Sequence, residues 1–160
     1  MIFFKKNKHL LSVCDGRCAP LSEIPDEAFS SGMLGEGVAI FPASGRFFSP
    51  VNGRVESIAE SLHAFTLRAD DGAELLLHIG VDTVTLKGEG FRVLVSEGDT
   101  VRAGAPLAEV DLGLIARRKL STATALLITN PDEIEITEQR YGKVTAGQDT
   151  VLSYRIVQKG

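Results

Sequence analysis

Two histidines and one aspartate in a short stretch are the residues of this sequence best suited to chemistry. His63 and His78 flank a segment of alternating apolar and polar residues, and Asp82 follows His78 by four positions. A neutral imidazole nitrogen attacks phosphoryl groups near physiological pH, and the phosphoramidate that forms can pass the group on. Zinc peptidases use the same H-x3-D spacing for two metal ligands, so hydrolysis is the competing interpretation.

The chain has too few ligands for a zinc site at His78 and Asp82, and too few for a second candidate metal site at its two cysteines. A zinc hydrolase needs a further histidine ligand, and the one that remains is His9, in the N-terminal segment. Cys14 and Cys18 would need two more ligands, and His9 is the only candidate nearby. Two cysteines also fall short of a disulfide framework, so we expect reduced thiols and a histidine nucleophile.

A β-hairpin is predicted to position the histidines. Residues 64–69 and 73–79 form its strands, and residues 70–72 form a loop in which Gly72 can adopt the left-handed conformation. This loop length pairs Ala64 with His78 and places His78 on the outward face, beside Leu76. His63 is then one step out of alignment, so its ring meets that of His78 only if the chain bends there. A loop one residue longer or shorter would instead place both histidines on one face directly. The residues expected to face the core are Phe65, Leu67, Leu75 and Leu77.

Strands dominate the rest of the chain. Sixteen glycines, six prolines and many β-branched residues favour short strands joined by turns. Further strands are predicted at 37–41, 46–50, 53–58, 91–95, 100–110, 124–129 and 151–157. Short helices are expected at 25–32, where Asp26 can act as the cap, and at 111–120. The predicted fold is all-β, a compact antiparallel β-sandwich or barrel with one or two short helices.

Composition narrows the class of function. The net charge is −4 and the chain has no tryptophan, which argues against nucleic acid as a partner. No run reaches the roughly 20 apolar residues of a membrane span, and the first residues lack a signal peptide, so we expect a cytoplasmic protein. Residues 1–15 are expected to be a flexible segment, with a weak membrane-associating helix as an alternative, and residues 16–160 to form one domain.

Several motifs together resemble one protein family, the glucose-type IIA component (EIIA) of the bacterial phosphoenolpyruvate-dependent sugar phosphotransferase system. The resemblance runs from about Ala19 to Gln158. The family-like stretches are APLSEIPDEAFSSGMLGEGVAIFP (19–42), SPVNGRV (49–55), HAF (63–65), LHIGVDTVTLKGEGF (77–91), EGDTVRAGAPLAEVD (97–111) and TALLITN (124–130).

The resemblance implies a phosphotransferase with no required cofactor. His78 would accept a phosphoryl group from the phosphocarrier protein HPr and give it to a cysteine on the IIB domain of a sugar permease. His63 would be the second active-site histidine. Ser61, at a position where the family often has threonine, would orient His63, and Asp82 would be the family's acidic residue at the active site. Zinc at His63 and His78 would be adventitious.

The resemblance also implies a docking surface around the histidines. The matching positions are Asp26, Phe29, Met33, Leu34, Leu76 and Val84. Glu27 and Ala28 depart from the family, which commonly has apolar residues there, so partner preference could differ. A mainly regulatory role, in which other proteins bind according to the phosphorylation state, stays open as an alternative.

Overall fold

The protein is an antiparallel β structure. The computed structural model describes residues 2–4 and 7–159, and within them the chain forms fifteen strands and two α-helices. The strands are β1 (Ile2–Phe4), β2 (Lys8–Leu11), β3 (Gly16–Pro20), β4 (Glu36–Pro42), β5 (Arg46–Phe48), β6 (Gly53–Ile58), β7 (Ala64–Ala69), β8 (Glu74–His78), β9 (Phe91–Val93), β10 (Thr100–Val101), β11 (Pro106–Val110), β12 (Thr124–Ile128), β13 (Ile134–Gln139), β14 (Gly142–Val144) and β15 (Thr150–Lys159). The helices are α1 (Glu27–Ser30) and α2 (Leu112–Arg117), and 3-10 turns cover Leu21–Glu23, Thr83–Leu86 and Pro131–Glu133.

The described strands form three sheets, which confirms the predicted class. The largest has eight strands in the order β10-β6-β7-β8-β12-β4-β3-β14. In a second sheet β15 pairs with β1, β2 and β13, and a third has the order β5-β11-β9. Strands β7, β8 and β12 therefore sit in the middle of the large sheet, where both edges of each strand are paired.

The two faces of the large sheet carry different clusters. One face contributes Phe65, Leu77 and Leu126 to the main core, which Phe47 and Tyr154 join from the other sheets. The opposite face carries a smaller cluster that includes Leu127 and is covered by Ile24 and Phe29. Because side chains alternate along a strand, His78 belongs to the side of the smaller cluster.

The predicted hairpin register is confirmed. Ala64 pairs with His78, and Arg68 pairs with Glu74. The Ala69 N–H donates to the Ala73 carbonyl, which closes a three-residue loop in which Gly72 has a φ of +99°. A positive φ suits glycine because it has no Cβ to clash with the backbone.

Both predicted short helices form, and an aspartate caps the N-terminus of each. The Asp26 carboxylate accepts from the Ala28 N–H at 3.0 Å, and Asp111 accepts from the Leu114 N–H at the same distance. These contacts satisfy amide donors that lack a partner within the helix. None of the helices in the described residues is both long and apolar enough to span a membrane.

The expectation of a flexible or helical N-terminus is wrong for the residues that the structure describes there. Residues 2–4 and 8–11 are strands that pair with β15, and Leu10 is fully buried. The ten residues of β15 offer a long row of backbone donors and acceptors, and pairing with a distant strand is invisible to local periodicity. Met1, Lys5 and Lys6, which also belong to that expectation, lie outside the described residues.

Other strand predictions need correction. Residues 100–110 form two strands, β10 and β11, that belong to different sheets. Strands β3, β13 and β14 were not predicted. Most side chains of β13 are exposed, and polar residues interrupt the alternation of apolar and polar positions. The sequence of β13 therefore lacks the usual signal of a half-buried strand.

Candidate active site

His78 ends strand β8 with one ring nitrogen held and the other available. Its Nδ1 lies 2.8 Å from the carbonyl oxygen of Gly80. A carbonyl can only accept, so in the neutral ring Nδ1 carries the proton and donates it to Gly80. The lone pair then resides on Nε2, which makes that nitrogen the nucleophilic atom of His78.

His63 reaches His78 through a bend in the backbone. Leu62, the residue before it, has a φ of +66°, an uncommon conformation for a residue with a side chain. The Ile79 N–H donates to the His63 carbonyl at 2.8 Å, which fixes the backbone beside the end of β8. The two imidazole centroids are 4.9 Å apart and the ring planes meet at 82°. The bend that the one-step misalignment required is therefore present.

Burial keeps both rings neutral. The pKa of His78 is lowered by burial and by the neighbouring His63, while the hydrogen bond to Gly80 and the carboxylates of Asp26 and Asp82 oppose that shift. Burial also lowers the pKa of His63, against a smaller opposing effect of the Ser61 backbone. Neutral imidazoles retain the lone pair that a nucleophile needs, so the site favours the reactive form of His78.

One nitrogen of His63 is not satisfied by a good hydrogen bond. Nδ1 is buried and has no partner of acceptable geometry among the described residues. The Ser61 backbone is close enough to raise the pKa of His63, but it does not form a full hydrogen bond with Nδ1. The Ser61 hydroxyl does not bond to Nδ1 of His63 in the described part of the chain, and the orienting role of Ser61 stays a prediction.

Phe29 supports the outer side of His78. The centroids of the two rings are 4.7 Å apart, with 53° between the ring planes. Phe29 is only 5% exposed because it lies in the smaller cluster with Ile24, Val81 and Leu127. Helix α1, capped by Asp26, holds Phe29 in this position. Phe29 was predicted as a docking residue, and in the structure it is buried and packs against the His78 ring.

The remaining predicted docking residues differ in accessibility. Met33 is 80% exposed, Val84 53% and Leu34 45%, so these three side chains are free for contact. Leu76 is half-buried and packs against the smaller cluster, which leaves only part of its surface available.

Asp82 is exposed, and its backbone carbonyl accepts from the Thr85 hydroxyl at 2.7 Å. It begins the turn after β8 with a φ of +59°. Asp82, the predicted acidic residue, and Asp26, a predicted docking residue, both act electrostatically on His78. Their roles stay predictions.

Sequence reasoning missed Thr83. Its side chain is fully buried, and its hydroxyl donates to the Ile79 carbonyl at 2.6 Å. A threonine five residues after a histidine carries no recognised local signal. Its contact depends on how the chain turns after β8, which only the tertiary structure reveals.

The candidates for a Cys/His metal site lie elsewhere in the fold. His9 Nδ1 is 2.8 Å from the Ser153 hydroxyl. Burial raises the pKa of Cys18 to about 11 and that of Cys14 to about 12, so both thiols stay protonated. Within the described residues, no group of three or more histidine, cysteine or acidic side chains could hold a metal ion.

Known proteins are similar to this chain in both sequence and fold. A family model described as "phosphoenolpyruvate-dependent sugar phosphotransferase system, EIIA 1" matches residues 8–134. The glucose-specific EIIA component of Oceanobacillus iheyensis is 41% identical over 138 residues, which are 86% of this chain and 84% of the relative. The glucoside-specific EIICBA component of Staphylococcus carnosus is 42% identical over 137 residues, 86% of this chain and 20% of that larger protein.

A solved structure agrees with these relatives. Glucose permease IIA from Mycoplasma capricolum superposes with a TM-score of 0.88 at 38% identity, over 96% of this chain and 99% of its own. Fold and sequence therefore point to the same relatives. The chain belongs to the EIIA type 1 family of the phosphoenolpyruvate-dependent sugar phosphotransferase system.

Proposed function

We propose that this protein is a phosphocarrier that receives a phosphoryl group on Nε2 of His78 and passes it to a sugar permease. The observation that carries the proposal is the contact between His78 Nδ1 and the Gly80 carbonyl, since it leaves Nε2 with the lone pair. The donor is HPr, and the acceptor is a IIB domain cysteine of a glucose-type permease. The names of the O. iheyensis and M. capricolum relatives support the glucose-type assignment.

Each transfer exchanges one bond to phosphorus for another. In the first step Nε2 of His78 attacks the phosphorus held by HPr, and the N–P bond to HPr breaks with its electron pair returning to the HPr imidazole. In the second step the IIB thiolate attacks, an S–P bond forms and the His78 N–P bond breaks. No net proton, oxidant or reductant is needed, so the proposal includes no cofactor.

The surrounding residues position the group rather than react. Phosphoryl transfer has a loose transition state with charge spread over the equatorial oxygens, so catalysis is mainly positioning and charge stabilisation. His63, with its ring 4.9 Å from that of His78, is proposed to donate a hydrogen bond to those oxygens. Asp82 and Asp26 make His78 more basic, which favours its attack on phosphorus.

The exposed apolar side chains around the site are proposed to contact both partners. We name Met33, Leu34 and Val84 the rim: Met33 and Leu34 follow helix α1, which carries Phe29, and Val84 lies in the turn that follows His78. Apolar side chains clustered around a reactive group favour a protein partner. The EIICBA relative from S. carnosus joins an EIIA-like region to further permease components in one chain, which supports a permease partner. Both exchanges would take place in the cytoplasm, where HPr and the IIB domain meet the carrier.

Phosphorylation by purified enzyme I, HPr and radioactive phosphoenolpyruvate tests the proposal. We expect one phosphoryl group per chain, labile to acid and stable to alkali, as a phosphoramidate is. The His78→Ala variant should take up none. His9→Ala is the matched control, because His9 pairs with Ser153 and is outside the site, and it should be labelled like the wild type. An acid-stable phosphate, or full labelling of His78→Ala, would contradict the assignment.

A further inference from the structure

Residues 79–83, which follow strand β8, form a turn that is fixed by several hydrogen bonds and directs the Gly80 carbonyl toward His78. Three backbone groups of this turn make hydrogen bonds to three different residues. The Ile79 N–H donates to the His63 carbonyl at 2.8 Å, and the Val81 N–H donates to the Ser121 carbonyl at 3.0 Å. Between them, the Thr83 hydroxyl donates to the Ile79 carbonyl at 2.6 Å. The peptide unit before Gly80 is therefore held by Thr83, and the unit after it by Ser121.

Thr83 also limits the space at Gly80. A Cβ built on Gly80 would collide with the Thr83 methyl carbon and would lie 3.0 Å from the Ser121 carbonyl oxygen. Gly80 has a φ of +80°, a conformation that suits glycine. The Thr83 methyl group thus packs directly over the Gly80 backbone. Both ends of one side chain, hydroxyl and methyl, contact the segment that aims the Gly80 carbonyl.

The direction of that carbonyl decides which nitrogen of His78 is free. While the Gly80 oxygen accepts from Nδ1, the lone pair stays on Nε2. If the turn relaxed, the carbonyl would swing away and the proton could occupy either nitrogen. Part of the population would then carry its proton on Nε2 and lose the nucleophile.

We propose that Thr83 is a positioning residue that fixes the tautomer and orientation of His78 by holding the Gly80 carbonyl in place. The inference rests on the proposed function, because the tautomer matters only if Nε2 of His78 accepts the phosphoryl group. The Thr83 hydroxyl bonds to the Ile79 carbonyl rather than to the imidazole ring. Its effect reaches His78 through the backbone of residues 79 and 80.

Three variants separate positioning from general stability. Thr83→Val keeps the shape of the side chain and removes the hydroxyl, whereas Thr83→Ser keeps the hydroxyl and removes the methyl group. Thr124→Val is the matched control. Thr124 is equally buried, and its hydroxyl donates to the Thr122 carbonyl at 3.0 Å. It neighbours Ala125, the partner of His78, and so faces the other side of the sheet.

The measurements are the ¹⁵N chemical shifts of the His78 ring in each full-length variant and the rate of phosphorylation by phospho-HPr. We expect Thr83→Val to show mixed His78 tautomers and a rate about 10-fold to 100-fold lower, the size of effect known for residues that orient metal-binding histidines. Thr83→Ser should restore the Nδ1-protonated form and most of the rate. Thr124→Val should lower the midpoint of thermal unfolding much as Thr83→Val does, while keeping the wild-type shifts and rate.

The inference is overturned if folded Thr83→Val keeps the wild-type shifts and rate, or if Thr124→Val lowers the rate as strongly. Should Thr83→Val not fold, Thr83→Ser decides, since mixed tautomers in that variant would show that the hydroxyl does not set the proton position. Failure of the wild type to accept phosphate would refute the proposed function instead. The ring shifts would still report whether Thr83 controls the tautomer.

Discussion

Replacing Met33 by aspartate tests whether the rim of Met33, Leu34 and Val84 binds HPr. Met33 is 80% exposed, so the change removes almost no packing from the free protein. Burial of a whole methionine side chain is worth about 1.5–3 kcal/mol, and four fifths of that is roughly 1.2–2.4 kcal/mol. Because about 1.4 kcal/mol corresponds to a tenfold change in Kd, we expect Met33→Asp to bind HPr about 10-fold to 50-fold more weakly.

The assay is calorimetric titration with HPr, together with the dependence of the phosphorylation rate on HPr concentration. Leu94→Asp is the control, since Leu94 is an exposed leucine at 39% that follows β9 in the three-stranded sheet rather than in the sheet of His78. Met33→Leu keeps an apolar side chain of similar size and should bind HPr nearly as the wild type does. Wild-type affinity in Met33→Asp, or an equal loss in Leu94→Asp, would refute the docking role of the rim.

The remaining predictions concern the histidines and the hairpin. His63→Gln should still accept phosphate on His78 but pass it to IIB about 10²–10³ times more slowly, because one donor to the phosphoryl oxygens is altered. Timing the two half-reactions separately tests this, and a variant that takes no phosphate, or transfers it at the wild-type rate, would exclude the role. The pKa values of His63 and His78 both lie below the ordinary 6.5 in the folded protein, so the unfolded chain binds more protons as the pH falls below 6.5. Stability present above that pH should therefore be lost on acidification, and urea unfolding should show a flatter pH profile when both histidines are replaced by glutamine; an unchanged profile would count against the shifts. Leu75→Asp should unfold the domain, because Leu75 is 1% exposed and an unpaired buried carboxylate costs several kcal/mol out of a total of about 5–15 kcal/mol. Leu76→Asp should destabilise it less, since Leu76 is half-buried in the smaller cluster, and equal losses on denaturant titration would show that the two faces are misassigned.

The hairpin that carries the histidines is determined by its own sequence. Alternation of apolar and polar residues sets which side chains face the core, and the length of the loop at residues 70–72 sets the pairing. Both depend on neighbours within a few positions, so the pairing of Ala64 with His78 was predictable. The same holds for the helix caps at Asp26 and Asp111, where a side chain satisfies amides two or three residues ahead.

Pairing between distant segments could not be derived in this way. Strand β2 depends on β15, which lies about 140 residues later in the chain, and β14 depends on β3 in the same manner. A short segment joins a sheet when an unpaired strand edge is available beside it, and that edge exists only in the folded protein. Residues 2–4 and 8–11 therefore resembled a tail although they form part of a sheet.

The active-site features also divide into those that local sequence determines and those that depend on contacts between distant segments. The sequence determined that a strand-end histidine and a second histidine would share one hairpin, because residue types and short spacings are enough for that. The tertiary structure decided that the two rings meet, through the bend at Leu62, and that Phe29 covers His78 from a helix almost fifty residues earlier. It also decided that Thr83 and Ser121 hold the turn at Gly80. These contacts join segments whose relative positions follow from the packing of the whole sheet, so no local pattern encodes them.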